Sequence, residues 1–141
     1  LPHLKEAGNP HILNLAPPIP TEPQWWARHL AYTLAKVGMS HCVLGMAEEF
    51  RADGVAVNAL WPRTTIATAA VRNLLGGEEM VRRSRKPAIL ADAAHAILVR
   101  DAAGCTGNFF MDDEVLAEEG VEDLTPYAVD PEAELQPDLF L

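Results

Sequence analysis

Two short apolar runs on either side of a long helical stretch constrain this chain more than any other feature. The first is His11-Ile-Leu-Asn-Leu-Ala16 and the second is Val55-Ala-Val-Asn-Ala-Leu-Trp-Pro62. Short, continuous apolar runs bounded by turn residues read as buried strands. Between them, Thr21-Glu-Pro-Gln24 has the form of a capping box, with Thr21 as N-cap and Gln24 at the third helical position. The helix it opens is predicted to run from about Glu22 to about Arg51, with a bend before Tyr32, and Gly54 closes the connection. Strand, helix and strand in that order imply a parallel pair joined by a right-handed crossover. A third strand is expected at Thr106-Gly-Asn-Phe-Phe-Met-Asp112. The fold class is therefore α/β.

The segments between these strands are helical in pattern. Residues 63–68 read as a loop, 66–75 as a helix ended by Gly76-Gly77, 78–85 as a short helix, and 87–100 as a strong one. No Gly-x-Gly-x-x-Gly occurs, and the Gly76-Gly77 doublet reads as a helix stop. The chain opens at Leu1 without Met, in a stretch that reads as the end of a helix stopped by Gly8 and Pro10. A dinucleotide-binding sheet has two halves, and the first carries the glycine turn. Only the second half is recognisable, so the chain is expected to be part of a longer protein. Residues 1–125 are expected to be the C-terminal part of one domain and 126–141 an extended tail. Leu139-Phe-Leu141 is too apolar to stay in water, so the tail should pack on something.

Composition narrows the function. With 141 residues and 49% apolar content, the chain suits one soluble domain or part-domain. No run approaches the roughly 18 apolar residues of a membrane span. The net charge is −9, and no Lys, Arg or His follows Arg100. This acidic stretch is either a solvated surface or a partner-docking tail. The basic cluster Arg82-Arg-Ser-Arg-Lys86 is either a phosphate site or the cationic end of a helix. An acidic chain with one short basic cluster is a poor nucleic-acid binder. Cys42 and Cys105 lack metal-ligand spacing and form no disulfide framework, so no metal site is expected. A reduced setting, cytoplasmic or in an organelle matrix, is expected.

One pair carries chemistry. Tyr32 and Lys36 are four residues apart within the predicted helix, and such residues are stacked neighbours. The ammonium charge favours phenolate, which should lower the Tyr pKa from its ordinary value of about 10. A phenol tuned in this way can exchange a proton with an alcohol or carbonyl. His29 lies on the same helical face, where it reads as a packing or surface residue, and His41 and His95 are isolated. Trp25 and Trp26 read as core or interface, or as the wall of a substrate pocket. Asp112-Asp113-Glu114 reads as a solvated loop or a cation site.

Taken in order, the strand, the Tyr-x-x-x-Lys helix, the strand ending at Pro62 and the Thr106-Gly107 strand resemble the C-terminal half of a short-chain dehydrogenase/reductase. Asn58-Ala-Leu-Trp-Pro62 and Gln136-Pro-Asp-Leu-Phe-Leu141 look closest to the hydroxysteroid-dehydrogenase-like branch. The resemblance covers nearly the whole chain. It implies a Rossmann-type doubly wound parallel sheet, here its C-terminal half only, and a cofactor that is NAD or NADP. It also implies a small-molecule alcohol or carbonyl substrate and a homo-oligomer built partly on the Tyr32 helix. Tyr32 would be the general acid/base, and Lys36 would lower its pKa and hydrogen-bond the nicotinamide ribose. Pro62 would begin the loop beneath the nicotinamide, Ile66 would meet the carboxamide through its backbone, and Thr68 would bond the cofactor.

The chain departs from that pattern twice. The family has Pro-Gly with Thr five residues after the Pro, whereas here Arg63 follows Pro62 and Thr68 is six residues on. The family also places a substrate-binding Ser just after the Asn-containing strand. Here Ala16 and Pro17 stand in that place, and Thr21 is the nearest hydroxyl. The expected function is an oxidoreductase interconverting an alcohol and a carbonyl. The alternative is a catalytically silent binding or scaffold protein on the same fold.

Overall fold

The structure, a computed structural model, describes residues 1–27 and 29–141. Arg28, inside the long predicted helix, lies outside the described residues. The elements in order are α1 (Pro2–Lys5), β1 (His11–Leu15), α2 (Gln24–Ala27), α3 (Leu30–Glu49), β2 (Ala56–Trp61), α4 (Gly77–Arg82), α5 (Ala88–Leu98), β3 (Phe109–Met111) and α6 (Asp112–Glu118). The strands form one sheet in the order β1-β2-β3. β1 and β2 run parallel, in register from His11 opposite Ala56 to Leu15 opposite Leu60. The α/β arrangement of Rossmann type expected from the sequence is thus present, with three strands and flanking helices among the described residues.

The chain divides into two compact units: residues 1–61, 97–110 and Phe140 in one, and residues 62–96, 111–139 and Leu141 in the other.

In the first unit, the β1–α3–β2 crossover follows from the side-chain pattern. All six residues of β2 are buried, as a central strand covered on both faces requires. α3 buries Thr33, Val37, Ser40, Val43 and Ala47, a three-and-four spacing that lays one stripe on the sheet. Ala16, Val43, Ala47, Phe50, Val55, Val57 and Ala59 form the core, with Ile12, Met39 and Phe109 packed against it. Gly54 supplies the left-handed turn between helix and strand, at φ 68°, a conformation that costs a side-chain-bearing residue energy.

The sheet end is locked by polar side chains the sequence pattern did not reveal. Fully buried Asn58 donates to the Cys105 carbonyl at 2.7 Å. Its Oδ1 accepts from the backbone and side-chain nitrogens of Asn108 at 3.0 and 2.9 Å. Thr106 Oγ1 accepts from the Val57 N–H at 3.0 Å. Asn9 donates to the carbonyls of Leu98 and Arg100 and accepts from the Ala102 N–H.

The single helix expected between the first two strands is two helices. His29, at φ −133° and ψ 40°, is not helical, so α3 begins at Leu30, and the anticipated bend before Tyr32 is a break. Thr21 does not cap α2, which starts three residues later, at Gln24. The Thr21 N–H instead donates to Glu22 Oε2 at 3.2 Å.

In the second unit, helical structure expected from residue 66 starts later. Ile66 forms a parallel bridge with Arg85 instead, which holds 64–68 extended as a loop. A π-type turn follows at Val71–Leu75, and α4 begins at Gly77. Residues 128–138 run alongside residues 83–85 and the start of this loop. The Thr65 N–H donates to the Gln136 carbonyl, the Gln136 N–H to the Arg83 carbonyl, and the Val129 N–H to the Ser84 carbonyl. Among the described residues, no helix is long and apolar enough to cross a membrane. Cys42 is exposed and Cys105 is buried, and neither is in a disulfide.

Candidate active site

The break at His29 places Tyr32 on the first turn of α3 and Lys36 on the second. Thr33 between them is fully buried, and its hydroxyl donates to the Trp25 carbonyl at 2.6 Å. That bond ties α2 to the start of α3. Lys36 extends to the end of β1, where its ammonium donates to the Leu15 carbonyl at 3.1 Å. The same nitrogen lies 5.4 Å from the centre of the Trp61 ring, at the end of β2, within cation–π range. Two strand ends therefore hold the Lys36 side chain. Tyr32 is 44% exposed, and its ring is stacked on that of Phe140 at 6.4 Å.

The position where the resemblance calls for a Ser is buried and apolar. Ala16 is 1% exposed. The Pro17 carbonyl accepts from the Ser40 hydroxyl at 2.7 Å, which fixes this turn against α3. Neither Ala16 nor Pro17 has a side-chain hydrogen-bond donor.

Pro62, Ile66 and Thr68 belong to the second unit. Pro62 is buried and Thr68 exposed. Ile66 is 7% exposed, and its N–H donates to no described residue, while the neighbouring Ala67 N–H is taken by the Arg85 carbonyl. The Thr68 hydroxyl accepts from the Val71 N–H at 3.3 Å, and the Thr68 carbonyl accepts from the Arg72 N–H. Thr68 therefore caps the turn that follows it.

Arg63 stands where the family pattern has Gly, and it organises the start of α6. Its backbone N–H donates to Asp112 Oδ1 at 2.8 Å. Its guanidinium donates to Asp113 at 3.0 Å and also to Glu114. The acidic triplet is neither a solvated loop nor a metal cluster. It is the first turn of α6, where carboxylates favour the helix dipole, and its cation is Arg63. Among the described residues no group of His, Cys, Asp or Glu could hold a metal ion. The Arg63 departure and the acidic triplet were both visible in the sequence, but nothing there linked residues so far apart.

The basic cluster is also structural. Arg82 pairs with Glu79 and Asp130, and its pKa is raised by those two hydrogen bonds. Arg83 donates to the Glu134 carbonyl and Lys86 to the Pro126 carbonyl. Arg85 Nε and Nη1 are buried without a hydrogen-bond partner, beside an open cleft of about 400 Å³ that is also lined by Glu122, Asp123 and Thr125.

Known proteins align with this chain from end to end. Hydroxysteroid dehydrogenase-like protein 2 of Danio rerio is 53% identical over all 141 residues. The chain spans about a third (33%) of that relative's length. Among solved structures, a proposed dehydrogenase from Xanthomonas campestris is 58% identical with a TM-score of 0.93, over 99% of this chain and 51% of that one. A short-chain dehydrogenase of Mycobacterium thermoresistibile is 53% identical with a TM-score of 0.89, over 99% of this chain and 49% of that one. No protein-family model matches. The resemblance to short-chain dehydrogenases, and to their hydroxysteroid-dehydrogenase-like branch, holds across the whole chain.

Proposed function

We propose that this chain forms part of a nicotinamide-dependent oxidoreductase that interconverts an alcohol and a carbonyl, with Tyr32 as its proton-transfer residue. The observation that carries this reading is the placement of Tyr32 and Lys36 on successive turns of α3, with Lys36 held by the Leu15 carbonyl and the Trp61 ring. End-to-end similarity to dehydrogenases supports it.

The nicotinamide, when bound, accepts or supplies the hydride. In the oxidative direction Tyr32, as phenolate, takes the proton from the substrate hydroxyl. In reduction its phenol O–H returns that proton to the carbonyl oxygen. One turn along α3, the Lys36 charge would favour the phenolate, and its remaining N–H bonds suit a ribose hydroxyl. Pro62 would begin the loop beneath the nicotinamide. The unpartnered N–H of buried Ile66 suits a carboxamide oxygen. Thr68 can bond the cofactor only through the hydroxyl that already caps its own turn. The cofactor is NAD or NADP.

The protein is further proposed to act in the cytoplasm on a small molecule and to assemble as a homo-oligomer through α3. The test of the central claim is Tyr32→Phe in the full-length protein. Removing only the hydroxyl should leave the packing in place while turnover falls by roughly 10²-fold or more. Near-normal turnover would remove Tyr32 from the chemistry.

The buried, donor-free turn at Ala16 and Pro17 favours a second reading, a catalytically silent binding protein. Losing a donor to the reacting oxygen costs on the order of 3–4 kcal/mol. Tight binding of NADH or NADPH without turnover of any alcohol or carbonyl would decide for it.

A further inference from the structure

We infer that Phe140 is a positioning residue for Tyr32, holding the phenol ring in the orientation that proton transfer requires. Resting on the acid/base reading of Tyr32, this assigns Phe140 a part in the reaction without contact with the reacting atoms.

Phe140 is the one non-glycine residue with positive φ among the described residues, at 73°. A bulky side chain in that region is a genuine outlier, and such backbone persists where its surroundings over-determine it. Here three aromatic rings do so. Phe140 meets Trp25 edge-on at 5.9 Å and Trp61 at a tilt at 6.0 Å. It lies parallel to Tyr32, at 6.4 Å and an interplanar angle of 2°. All three distances fall within the range of favourable aromatic pairs. Phe140 itself is 8% exposed.

The arrangement is directional. Trp25 comes from α2, Tyr32 from the first turn of α3 and Trp61 from the end of β2, so Phe140 joins three separate elements at one ring. Tyr32 is 44% exposed; a parallel ring against one face restrains rotation of the phenol about its side-chain bonds. Trp61 also carries the Lys36 ammonium at 5.4 Å from its ring. The same cluster therefore backs both members of the Tyr32–Lys36 pair. Misplacing a reacting group by about 1 Å can cost about 10²-fold in rate, so the stack has kinetic consequences.

The test uses the full-length protein and three substitutions. Phe140→Gly relieves the positive φ and removes the ring. Phe140→Leu keeps apolar bulk without a flat face, and Phe140→Tyr keeps the face. The expected result is a fall in kcat of roughly 10-fold or more for Gly and Leu, with KM changed less than about 2-fold and kcat restored in Tyr. A second readout is independent of turnover. With 3-fluorotyrosine incorporated, the ¹⁹F signal that disappears in Tyr32→Phe should move in Phe140→Gly and stay in place in Phe140→Tyr. Unchanged kcat in Phe140→Gly, or a rise in KM alone, overturns the inference, as does an unmoved ¹⁹F signal. Full turnover in Tyr32→Phe would instead overturn the acid/base reading on which it rests. If Phe140→Gly fails to fold, the Leu and Tyr pair decides in the same way.

Discussion

The backbone N–H of Arg63 donates to Asp112 Oδ1 at 2.8 Å, and the Asp113 N–H shares that oxygen at 2.8 Å. Asp112 is fully buried, and its Oδ2 has no hydrogen-bond partner. Burial pushes its pKa above the ordinary carboxylate value, against the opposing pull of the two backbone donors. The folded state therefore holds the Asp112 proton more tightly than the unfolded state does. The penalty for ionising it is absent below the unfolded pKa near 4 and is fully present above the raised folded value. Asp112→Asn keeps an acceptor for both N–H groups and carries no charge. It should be neutral or stabilising at pH 7, with a stability profile that is flatter from about pH 4 up through the raised folded value. Asp112→Ala strands both donors and should cost about 1–3 kcal/mol. Urea unfolding across pH checks both outcomes.

Asn58 makes the opposite case, a buried polar group with every visible need met. Asn58→Leu keeps the branch at Cγ and the number of heavy atoms but leaves the Cys105 carbonyl and the Asn108 N–H groups without their partner. The expected loss is about 2–4 kcal/mol, well beyond a volume-neutral apolar exchange. Chemical denaturation measures it. A loss under about 0.5 kcal/mol would mean that water replaces the amide.

What could be read in the sequence tracks the distance over which each determinant acts. The strands at 11–15 and 56–61 and their parallel pairing follow from local apolar runs and the helix between them. Strand β3 was found, though it is shorter than the apolar run suggested. The break at His29 was anticipated only as a bend, because its cause is not confined to the helix: Thr33 bonds back to the Trp25 carbonyl. Asn58 was hidden because an Asn inside an apolar run does not reveal its partners, which lie 47 and 50 residues away. The Arg63 clamp was hidden for the same reason. Of the candidate site, the placement of Tyr32 and Lys36 four residues apart on one helix was legible from spacing. The aromatic ring on Tyr32 was not, since the sequence implied only that Leu139-Phe-Leu141 should pack somewhere.

The outer face of α3 leads to a prediction about assembly. Leu30, Leu34 and Leu44 are 55%, 56% and 45% exposed. Ala35, Gly38 and Gly45 are exposed beside them, and a side chain at Gly38 or Gly45 would meet nothing within 4 Å. An apolar, small-residue helix face of this kind suits close packing with another copy. Gly38→Arg should lower the mass measured by light scattering while leaving the circular dichroism unchanged. Gly38→Ala separates the cases further. On a solvated helix it should stabilise by about 1 kcal/mol. In a close helix–helix contact it should weaken the assembly. An unchanged mass in Gly38→Arg together with stabilisation in Gly38→Ala would show that α3 is solvated.

Residues 126–138 are fastened within the second unit partly through Tyr127. Its hydroxyl donates to Asp92 Oδ2 at 2.6 Å, and the Lys86 N–H donates to its carbonyl at 2.7 Å. The hydrogen bond to Asp92 raises the phenol pKa above its ordinary value, with burial and the carboxylate charge adding to the effect. The protonated phenol is thus favoured by the fold. Its contribution is fully present below the unfolded pKa of about 10 and is lost as pH rises through the raised folded value. Tyr127→Phe deletes the donor and leaves the backbone bond in place. It should lower stability at pH 8 by about 0.5–1.5 kcal/mol. Wild type should lose this advantage between about pH 10 and the raised value, so that the two melting curves converge in strong alkali. Equal melting temperatures at pH 8 would mean that the hydroxyl contributes nothing and that the main-chain bonds alone hold this segment.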